Sequence, residues 1–296
     1  MPTTRSLAVS TKPHLLPTER RFASTAPQCG WAPKSPAALT VHGDKVPLGA
    51  FPWHGGLYRK SGRGAYDYVC GANLITPSVL VTAAHCLYVR DKLQPAGKFA
   101  VALGKLYSAW DREDGSGVIK SDVQRVIPHP LYRGVARKYS ADIALLQLSR
   151  PAELGDTIFP ICLGNSHDKA GKVQVVGWGD DQAALEELQS VSLSVRDFGD
   201  CVGSFSGSAH ELPFITEDKL CSSRDKGLER PPGLAKGDSG SGAVQPFHGQ
   251  WHLMGLVSVS LDNGKFYGFT DVRRYWGWIH QTYRDITPEF NGTLLI

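Results

Sequence analysis

The sequence predicts an all-β protein, because short runs of β-forming residues alternate with turn-forming residues along most of the chain. The 296 residues include 32 glycines and 19 prolines, which favour short strands over long helices. Hydrophobic residues make up 42% of the chain, enough for a large core and too much for a disordered protein. Many short strands at this spacing favour a β-barrel or a β-sandwich.

The predicted strands lie between about residue 49 and residue 272. They are the runs 66–70, 73–77, 78–84, 98–104, 122–128, 142–148, 172–179, 190–195, 251–260 and 266–272. The end of the chain differs, since Val272, Trp276, Ile279 and Tyr283 recur at helical intervals. We therefore predict one amphipathic helix after the last strand.

Charge and hydropathy exclude two classes of partner. The formal net charge is only +4 and charged residues make up 20% of the chain, so no nucleic-acid partner is expected. No stretch reaches the roughly 18 consecutive apolar residues that a membrane span needs.

The first 28 residues are rich in Pro, Ser, Thr and Arg and lack the apolar core of a signal peptide, so they predict a linker or tail. Export is then non-classical, or the true amino end lies upstream.

Six cysteines form an even set without any C-x-x-C pair: Cys29, Cys70, Cys86, Cys162, Cys201 and Cys221. Zinc ribbons and thioredoxin-type motifs are therefore not expected. The spacing suits disulfides in an oxidising compartment, but it leaves many pairings open. The alternative is six buried free thiols in a cytosolic protein.

Three separate motifs carry candidate catalytic residues. VLVTAAHC places His85 after an apolar strand, DIALLQL places Asp142 at the start of another, and KGDSGSGAV places Ser239 in a glycine-rich turn. Each motif alone has a structural explanation. Together they match a chemical need, because a serine hydroxyl requires a base, and the base requires a carboxylate that orients it and stabilises its cation.

The motifs TAAHC, DIALL and GDSG, in this order on an all-β chain, resemble those of the chymotrypsin-like (trypsin-like) serine proteases. FPW at 51–53 and VVGWG at 175–179 resemble two further family segments. The resemblance implies two packed six-stranded antiparallel β-barrels with a C-terminal α-helix. Residues 1–39 would be a flexible leader ending in the activation region, and residues 40–296 the protease domain.

The family also implies roles for individual residues. His85, Asp142 and Ser239 would form the catalytic triad, and the backbone amides of Gly237 and Ser239 the oxyanion hole. No metal or cofactor is implied. The implied disulfides are Cys70–Cys86, Cys201–Cys221 and Cys29–Cys162.

The activation region departs from the family pattern. Family members are cut after Arg or Lys, and the new terminus then pairs with the Asp before the catalytic Ser. Here the aligned terminus is Thr40, the cut would follow Leu39, and Asp238 is the partner carboxylate. A trypsin-like activator is therefore not expected.

The specificity pocket departs as well. Gly233 stands where trypsin-like members place an Asp, and Ala235 replaces a cysteine. Ser258 resembles the serine that docks the substrate backbone, Ser260 replaces a glycine, and Tyr267 falls near the position of a pocket-wall glycine. We expect a shallow, uncharged pocket that accepts an apolar or small residue rather than Arg or Lys.

These features resemble the modular serine proteases that start arthropod immune cascades. The resemblance implies a secreted endopeptidase zymogen that activates itself after Leu39 and then cleaves downstream zymogens. Serpin-type inhibitors are expected partners. The chain would be a monomer or part of a larger modular chain, and the family's upstream modules are absent from this sequence.

Two other functions compete with this hypothesis. One is a non-catalytic protease homologue that acts as a binding or regulatory module. The other is an α/β-hydrolase esterase, which is disfavoured because Ser241 breaks the G-x-S-x-G pattern and the residue order is wrong.

Two minor features remain. The acidic stretch 111–115 predicts a solvated loop rather than a calcium site, and Asn291 begins a glycosylation sequon.

Overall fold

The structure is a computed structural model that describes residues 28–33, 44–112, 114–115, 117–164, 171–179, 187–223 and 234–288. Four residues with predicted roles lie outside these ranges: Leu39, Thr40, Gly233 and Asn291. Within these ranges, no helix has both the length and the apolar character needed to cross a membrane.

Strands dominate the described residues. In chain order they are β1 (Asp44–Lys45), β2 (His54–Lys60), β3 (Tyr66–Thr76), β4 (Val79–Thr82), β5 (Tyr88–Val89), β6 (Lys92–Leu93), β7 (Phe99–Leu103), β8 (Ile119–Pro128), β9 (Ala144–Leu148), β10 (Cys162–Leu163), β11 (Lys172–Gly177), β12 (Gln189–Ser194), β13 (Lys219–Ser223), β14 (Gly242–Phe247), β15 (Gln250–Leu261) and β16 (Phe266–Asp271). Two α-helices accompany them, α1 (Phe198–Ser204) and α2 (Trp276–Ile286).

The first barrel is closed, with the strand order β2-β3-β4-β9-β8-β7. Every residue of β4, β7 and β9 is buried, as their continuous apolar runs predict. One apolar cluster extends from Leu57 and Val101 in this barrel to Leu253 in the second sheet and Ile279 in α2. The two halves of the protein and the last helix therefore share a core.

The second sheet has the order β1-β12-β11-β14-β15-β16-β13 and bends into an incomplete barrel. Its last strand, β13, returns to the segment that follows β12, where Arg196 and Cys221 exchange backbone hydrogen bonds of 2.8 and 3.0 Å. The predicted all-β architecture, with two barrel units and a C-terminal helix, is thus confirmed, and the second unit is a half-barrel with a single bridge between β13 and the segment after β12.

Strand β3 differs from the prediction, which divided it into the runs 66–70 and 73–77. Gly71 continues the pairing and lies opposite Gly56 on β2. A Cβ atom on Gly71 would lie 2.2 Å from Oγ of Ser241. The break in the apolar pattern therefore marks a close contact with the Ser239 turn and not a turn in β3.

The predicted C-terminal helix is present. Ile279, Tyr283 and Ile286 of α2 are buried, whereas Val272 begins a 3-10 turn, Val272–Tyr275, that precedes the helix. The side-chain amide of Gln147 on β9 donates to the carbonyl of Ile286 at 3.0 Å, which fastens the end of α2 to the first barrel. Helix α1 was not predicted, because only Cys201 of its seven residues is buried and no apolar period marks it.

Three disulfides join the pairs Cys29–Cys162, Cys70–Cys86 and Cys201–Cys221, the pairing that the family resemblance implied. The first of them ties residues 28–33, which belong to the predicted leader, to the body of the protein. Backbone hydrogen bonds from Gly30 to Pro160 and from Trp251 to Gly30 support this attachment, at 2.7 and 2.9 Å.

The acidic loop 111–115 is not simply solvated. The side chains of Asp114 and Lys105 are completely buried and form an ion pair. Asp114 Oδ1 also accepts the backbone amides of Leu106 and Tyr107, at 3.1 and 2.8 Å. The ammonium group of Lys105 thus supplies the positive charge inside this loop, so the expectation of a solvated loop is wrong for Asp114.

Substituting Asp114 by Asn is expected to destabilise the fold by about 3 kcal/mol, because the buried ammonium loses its counter-charge. Urea denaturation measures the change. The control is Asp122→Asn, since Asp122 pairs with Lys60 at the surface, where its side chain is 60% exposed. Equal midpoints for the two variants would contradict a structural role of the buried pair.

Candidate active site

His85 and Asp142 are joined by two hydrogen bonds. His85 lies in the 3-10 turn Ala84–Leu87 that follows β4, and Asp142 lies just before β9. Nδ1 of His85 is 2.7 Å from Oδ2 of Asp142, and the backbone amide of His85 donates to Oδ1 at 2.8 Å. The carboxylate therefore fixes both the ring and the main chain of the histidine. With Nδ1 donating to Asp142, Nε2 is left as a proton acceptor.

Asp142 is fully buried, yet its carboxylate is well satisfied. Oγ of Ser258 donates to Oδ2 at 2.6 Å, and Oγ1 of Thr270 donates to the Asp142 carbonyl at 3.0 Å. Burial opposes ionisation, but the charges of His85 and Lys219 and the hydrogen bonds from His85 and Ser258 outweigh it and lower the pKa of Asp142. The group is therefore ionised near neutral pH.

The pKa of His85 is raised. Burial acts against the imidazolium and the charge of Lys219 does likewise, but Asp142 outweighs both through its charge and its hydrogen bond. The side chain of His85 keeps 23% of its surface exposed, so a reacting group can approach it.

Ser239 occupies a turn between the 3-10 helix Lys236–Asp238 and β14. Its carbonyl accepts the amide of Gly71 at 2.8 Å. Gly240 has a φ of +76°, and a Cβ atom there would lie 2.5 Å from the Gly71 carbonyl oxygen, so the turn requires glycine.

The disulfide Cys70–Cys86 links the strand that contacts the Ser239 turn to the 3-10 turn that carries His85. Gly71, which binds Ser239, directly follows Cys70, and His85 directly precedes Cys86. The two sulfurs and a ring nitrogen of His85 lie within 4.8 Å of one another. Both Ser239 and His85 are described, and no hydrogen bond joins their side chains in this conformation; such contacts often tighten only when substrate binds.

The backbone at Gly237 leaves no room for a side chain. A Cβ atom at this position would lie 1.9 Å from the carbonyl oxygen of Gly179. The hydroxyl of Tyr68 donates to the Gly237 carbonyl at 2.9 Å and fixes the peptide. Within the described ranges, neither the amide of Gly237 nor that of Ser239 donates to a backbone carbonyl outside the 3-10 helix Lys236–Asp238.

Asp238 is buried beneath this turn. Its two carboxylate oxygens accept the amides of Gly179 and Ala235, at 2.9 and 2.8 Å. Burial raises the pKa of Asp238 despite these bonds. An added positive charge would therefore be strongly stabilised at this carboxylate.

The predicted pocket residues are only partly covered by the structure. Ser260 on β15 is exposed and pairs with Tyr267 on β16. The side chain of Tyr267 is fully buried and packs in an apolar cluster with Phe269 and Leu234. An aromatic ring therefore fills space behind the exposed end of β15, whereas Gly233 lies outside the described residues.

Comparison with known proteins decides the family, because the trypsin family model matches residues 40–279. This chain belongs to the trypsin family. The family resemblance in the sequence is thereby confirmed, and the chain is a member of a family of serine proteases.

Relatives of the trypsin-family chain come from arthropods and mammals. It is 25% identical over 254 residues to CLIP domain-containing serine protease B4 of Anopheles gambiae, covering 81% of this chain and 69% of that protein. It is 28% identical over 255 residues to serine protease 28 of Mus musculus, covering 81% and 88%. It is 29% identical over 283 residues to clotting factor C of Tachypleus tridentatus, covering 88% of this chain but 27% of that larger protein.

Three residues near the site were not found by sequence reasoning: Tyr68, Asp218 and Lys219. No trypsin-family motif quoted above contains them, and each acts on the site from a distant part of the chain. The available signal for Asp218 and Lys219 was a short charged run, Glu217, Asp218 and Lys219, at the point where β13 begins.

The raised pKa of His85 predicts the pH dependence of activity. Only the neutral imidazole can accept a proton, so kcat/KM should fall as the pH drops through this pKa. The acid midpoint should lie above 6.5, the ordinary value for histidine. A pH profile with a short peptide ester measures it, and a midpoint below 6.5 would contradict the dominance of Asp142.

Proposed function

We propose that this trypsin-family chain is a serine endopeptidase that cleaves peptide bonds through an acyl-enzyme. The observation that carries the proposal is the buried Asp142, bonded to both His85 and Ser258, with Ser239 attached to the same disulfide-braced support. These residues would form the active site from opposite barrels.

The mechanism follows from the atoms that are available. Nε2 of His85 takes the proton of Ser239 as Oγ attacks the substrate carbonyl, and Asp142 stabilises the resulting imidazolium. The amides of Gly237 and Ser239 donate to the oxyanion, each contributing about 3 kcal/mol to transition-state stabilisation. His85 then protonates the leaving amine, and water repeats the sequence to release the acid.

Activation would follow cleavage after Leu39, which divides a leader of residues 1–39 from a protease domain of residues 40–296. The new ammonium group at Thr40 would pair with Asp238. The raised pKa of Asp238 supports this step, because a buried carboxylate without a counter-charge gains most from an incoming cation. The bridge Cys29–Cys162 would keep the leader attached after the cut.

The substrate preference would be apolar or small rather than basic. The buried ring of Tyr267, which pairs with Ser260, supports a shallow pocket beside the end of β15 that carries Ser258 and Ser260. Leu39 itself fits such a pocket, so the enzyme would activate itself.

The biological setting we propose is an extracellular proteolytic cascade such as innate immunity, with downstream zymogens as substrates and serpin-type inhibitors as regulators. Three disulfides support an oxidising compartment. The names of two arthropod relatives, a CLIP domain-containing protease and a clotting factor, agree with this setting. The coverage of clotting factor C fits a catalytic unit of a larger modular protein.

A non-catalytic homologue acting as a binding or regulatory module is the second candidate. Two observations favour it: in the part of the chain that the structure describes, no hydrogen bond joins the side chains of Ser239 and His85, and the buried ring of Tyr267 fills space near the proposed pocket.

A cleavage profile on a peptide library separates these functions. The full chain is incubated alone, the products are sequenced, and the processed enzyme is then given the library. We expect cleavage after Leu39 and after apolar library residues, with neither in Ser239→Ala. Processing after Leu39 at the same rate in Ser239→Ala would exclude self-activation, and preferential cleavage after Arg would exclude the proposed pocket.

A further inference from the structure

The turn that carries Asp142 has a strained backbone. Lys138, Tyr139 and Ala141 have φ values of +54°, +58° and +57°. Residues with side chains rarely adopt this left-handed region, and they stay there only when their surroundings hold them. Since Asp142 directly follows Ala141, the direction of its carboxylate depends on whatever holds this turn.

Two adjacent residues of the second barrel, Asp218 and Lys219, bind the backbone of this turn at Ala141 and Tyr139. Oδ2 of Asp218 accepts the backbone amide of Ala141 at 2.8 Å. Nζ of Lys219 donates to the carbonyl of Tyr139 at 2.8 Å and lies 3.3 Å from Oγ1 of Thr270. Thr270 in turn donates to the carbonyl of Asp142. The strained turn is thus bound on its two sides by one charged pair.

This pair is unusual because of its burial. The side chain of Lys219 is 0% exposed and that of Asp218 11%, and their charged atoms are 3.4 Å apart. The hydroxyl of Tyr275 donates to Oδ2 of Asp218 at 2.7 Å, and the hydroxyl of Thr216 donates to Oδ1. A buried ion pair is weak evidence for stability, because apolar residues of similar volume often serve as well. The hydrogen bonds of Asp218 and Lys219 to the backbone of the turn 138–141 indicate a role other than stability of the fold.

We propose that Asp218 and Lys219 are positioning residues, which hold the turn 138–141 and thereby aim the carboxylate of Asp142 at His85. The inference rests on the proposed hydrolase function, since it assigns these residues to the same site. Neither residue touches the reacting atoms, so both act through Asp142.

The pKa of His85 depends both on the position of Asp142 and on the charge of Lys219. Titratable groups around His85 and Asp142 are Tyr132, Tyr139, Asp218, Lys219 and Tyr275. Burial raises the pKa values of the three tyrosines, so they stay neutral at working pH. Lys219 therefore supplies the positive charge that lowers the pKa of His85 against the pull of Asp142.

The test replaces the pair by neutral residues of similar size, as Asp218→Asn with Lys219→Met, in the full chain. NMR follows the titration of His85, and steady-state kinetics follows kcat and KM. We expect a loss in kcat of about 10- to 100-fold from misplacement of Asp142, and little change in KM. Loss of the Lys219 charge alone would raise the pKa of His85, whereas a misplaced Asp142 lowers it, so a pKa of His85 below that of the wild type identifies misplacement. The matched control is Lys105→Met with Asp114→Asn, an equally buried pair on the first barrel, which should leave the titration of His85 and kcat unchanged.

Several outcomes decide the proposal. A folded double variant with the wild-type titration of His85 and the wild-type kcat would overturn it. If the double variant does not fold, Tyr275→Phe removes one hydrogen bond to Asp218 and leaves the charge of Lys219 in place. It should reduce kcat by less than the double variant and lower the pKa of His85, because Asp142 is held less firmly; no shift in either quantity would overturn the proposal. If the wild-type chain has no hydrolase activity, the proposed function fails, and the titration of His85 alone decides the positioning role.

Discussion

Replacing Ser239 by alanine is expected to reduce peptide hydrolysis by the processed chain on the order of 10⁶-fold, because the nucleophile is lost while the rest of the site remains. Residual activity would come from the oxyanion donors and from substrate binding alone. The measurement is kcat/KM on the best library peptide.

Ser241 provides the control for this experiment. It lies in the same turn, is fully buried, and its hydroxyl has no hydrogen-bond partner among the described residues. Ser241→Ala should therefore keep the activity and the stability of the wild type. Comparable activity in Ser239→Ala and Ser241→Ala would remove Ser239 from the mechanism.

The Asp142→Asn variant should lose about 10⁴-fold in kcat while keeping its fold. An amide in place of the carboxylate presents a donor to Nδ1 of His85, so the proton moves to Nε2 and the base can no longer accept one. Steady-state kinetics at constant pH measures the loss, and circular dichroism checks the fold. The control is Asp122→Asn at the surface; a loss under tenfold for Asp142→Asn would contradict the role of the carboxylate.

Much of the fold could be predicted because its strands carry local signals. The continuous apolar runs of β7 and β9 predicted buried strands, and the spacing of Ile279 and Tyr283 predicted α2. Failures occurred where contacts between distant segments decide the structure. Gly71 looked like a strand break, yet it is the point where the Ser239 turn packs against β3.

In the candidate site, too, residues in local motifs could be predicted and residues that act through distant contacts could not. His85, Asp142 and Ser239 lie in short motifs, so the sequence could indicate them individually, and the structure brings His85 and Asp142 into contact. Asp218 and Lys219 could not be predicted, because their importance comes from hydrogen bonds to a turn that is 77 residues from Asp218 in the sequence. The hydrogen bond that Ser258 donates to Asp142 could not be predicted either. Substrate docking was the only function that its position suggested.

The loop 111–115 shows a further limit of local patterns. Acidic composition predicted solvent exposure, whereas Asp114 is buried because Lys105 supplies a counter-charge inside the loop. A pairing of this kind depends on the path of the chain and not on the residues in the loop alone.

Labelling with a fluorophosphonate probe tests the central claim most directly, namely that Ser239 is a nucleophile activated by His85 and Asp142. The processed full chain is treated with the probe, and mass spectrometry of a digest locates the adduct. We predict one adduct, on Ser239, that is absent in Ser239→Ala and forms much more slowly in Asp142→Asn. A processed, folded chain that remains unlabelled would contradict the account and establish a non-catalytic role.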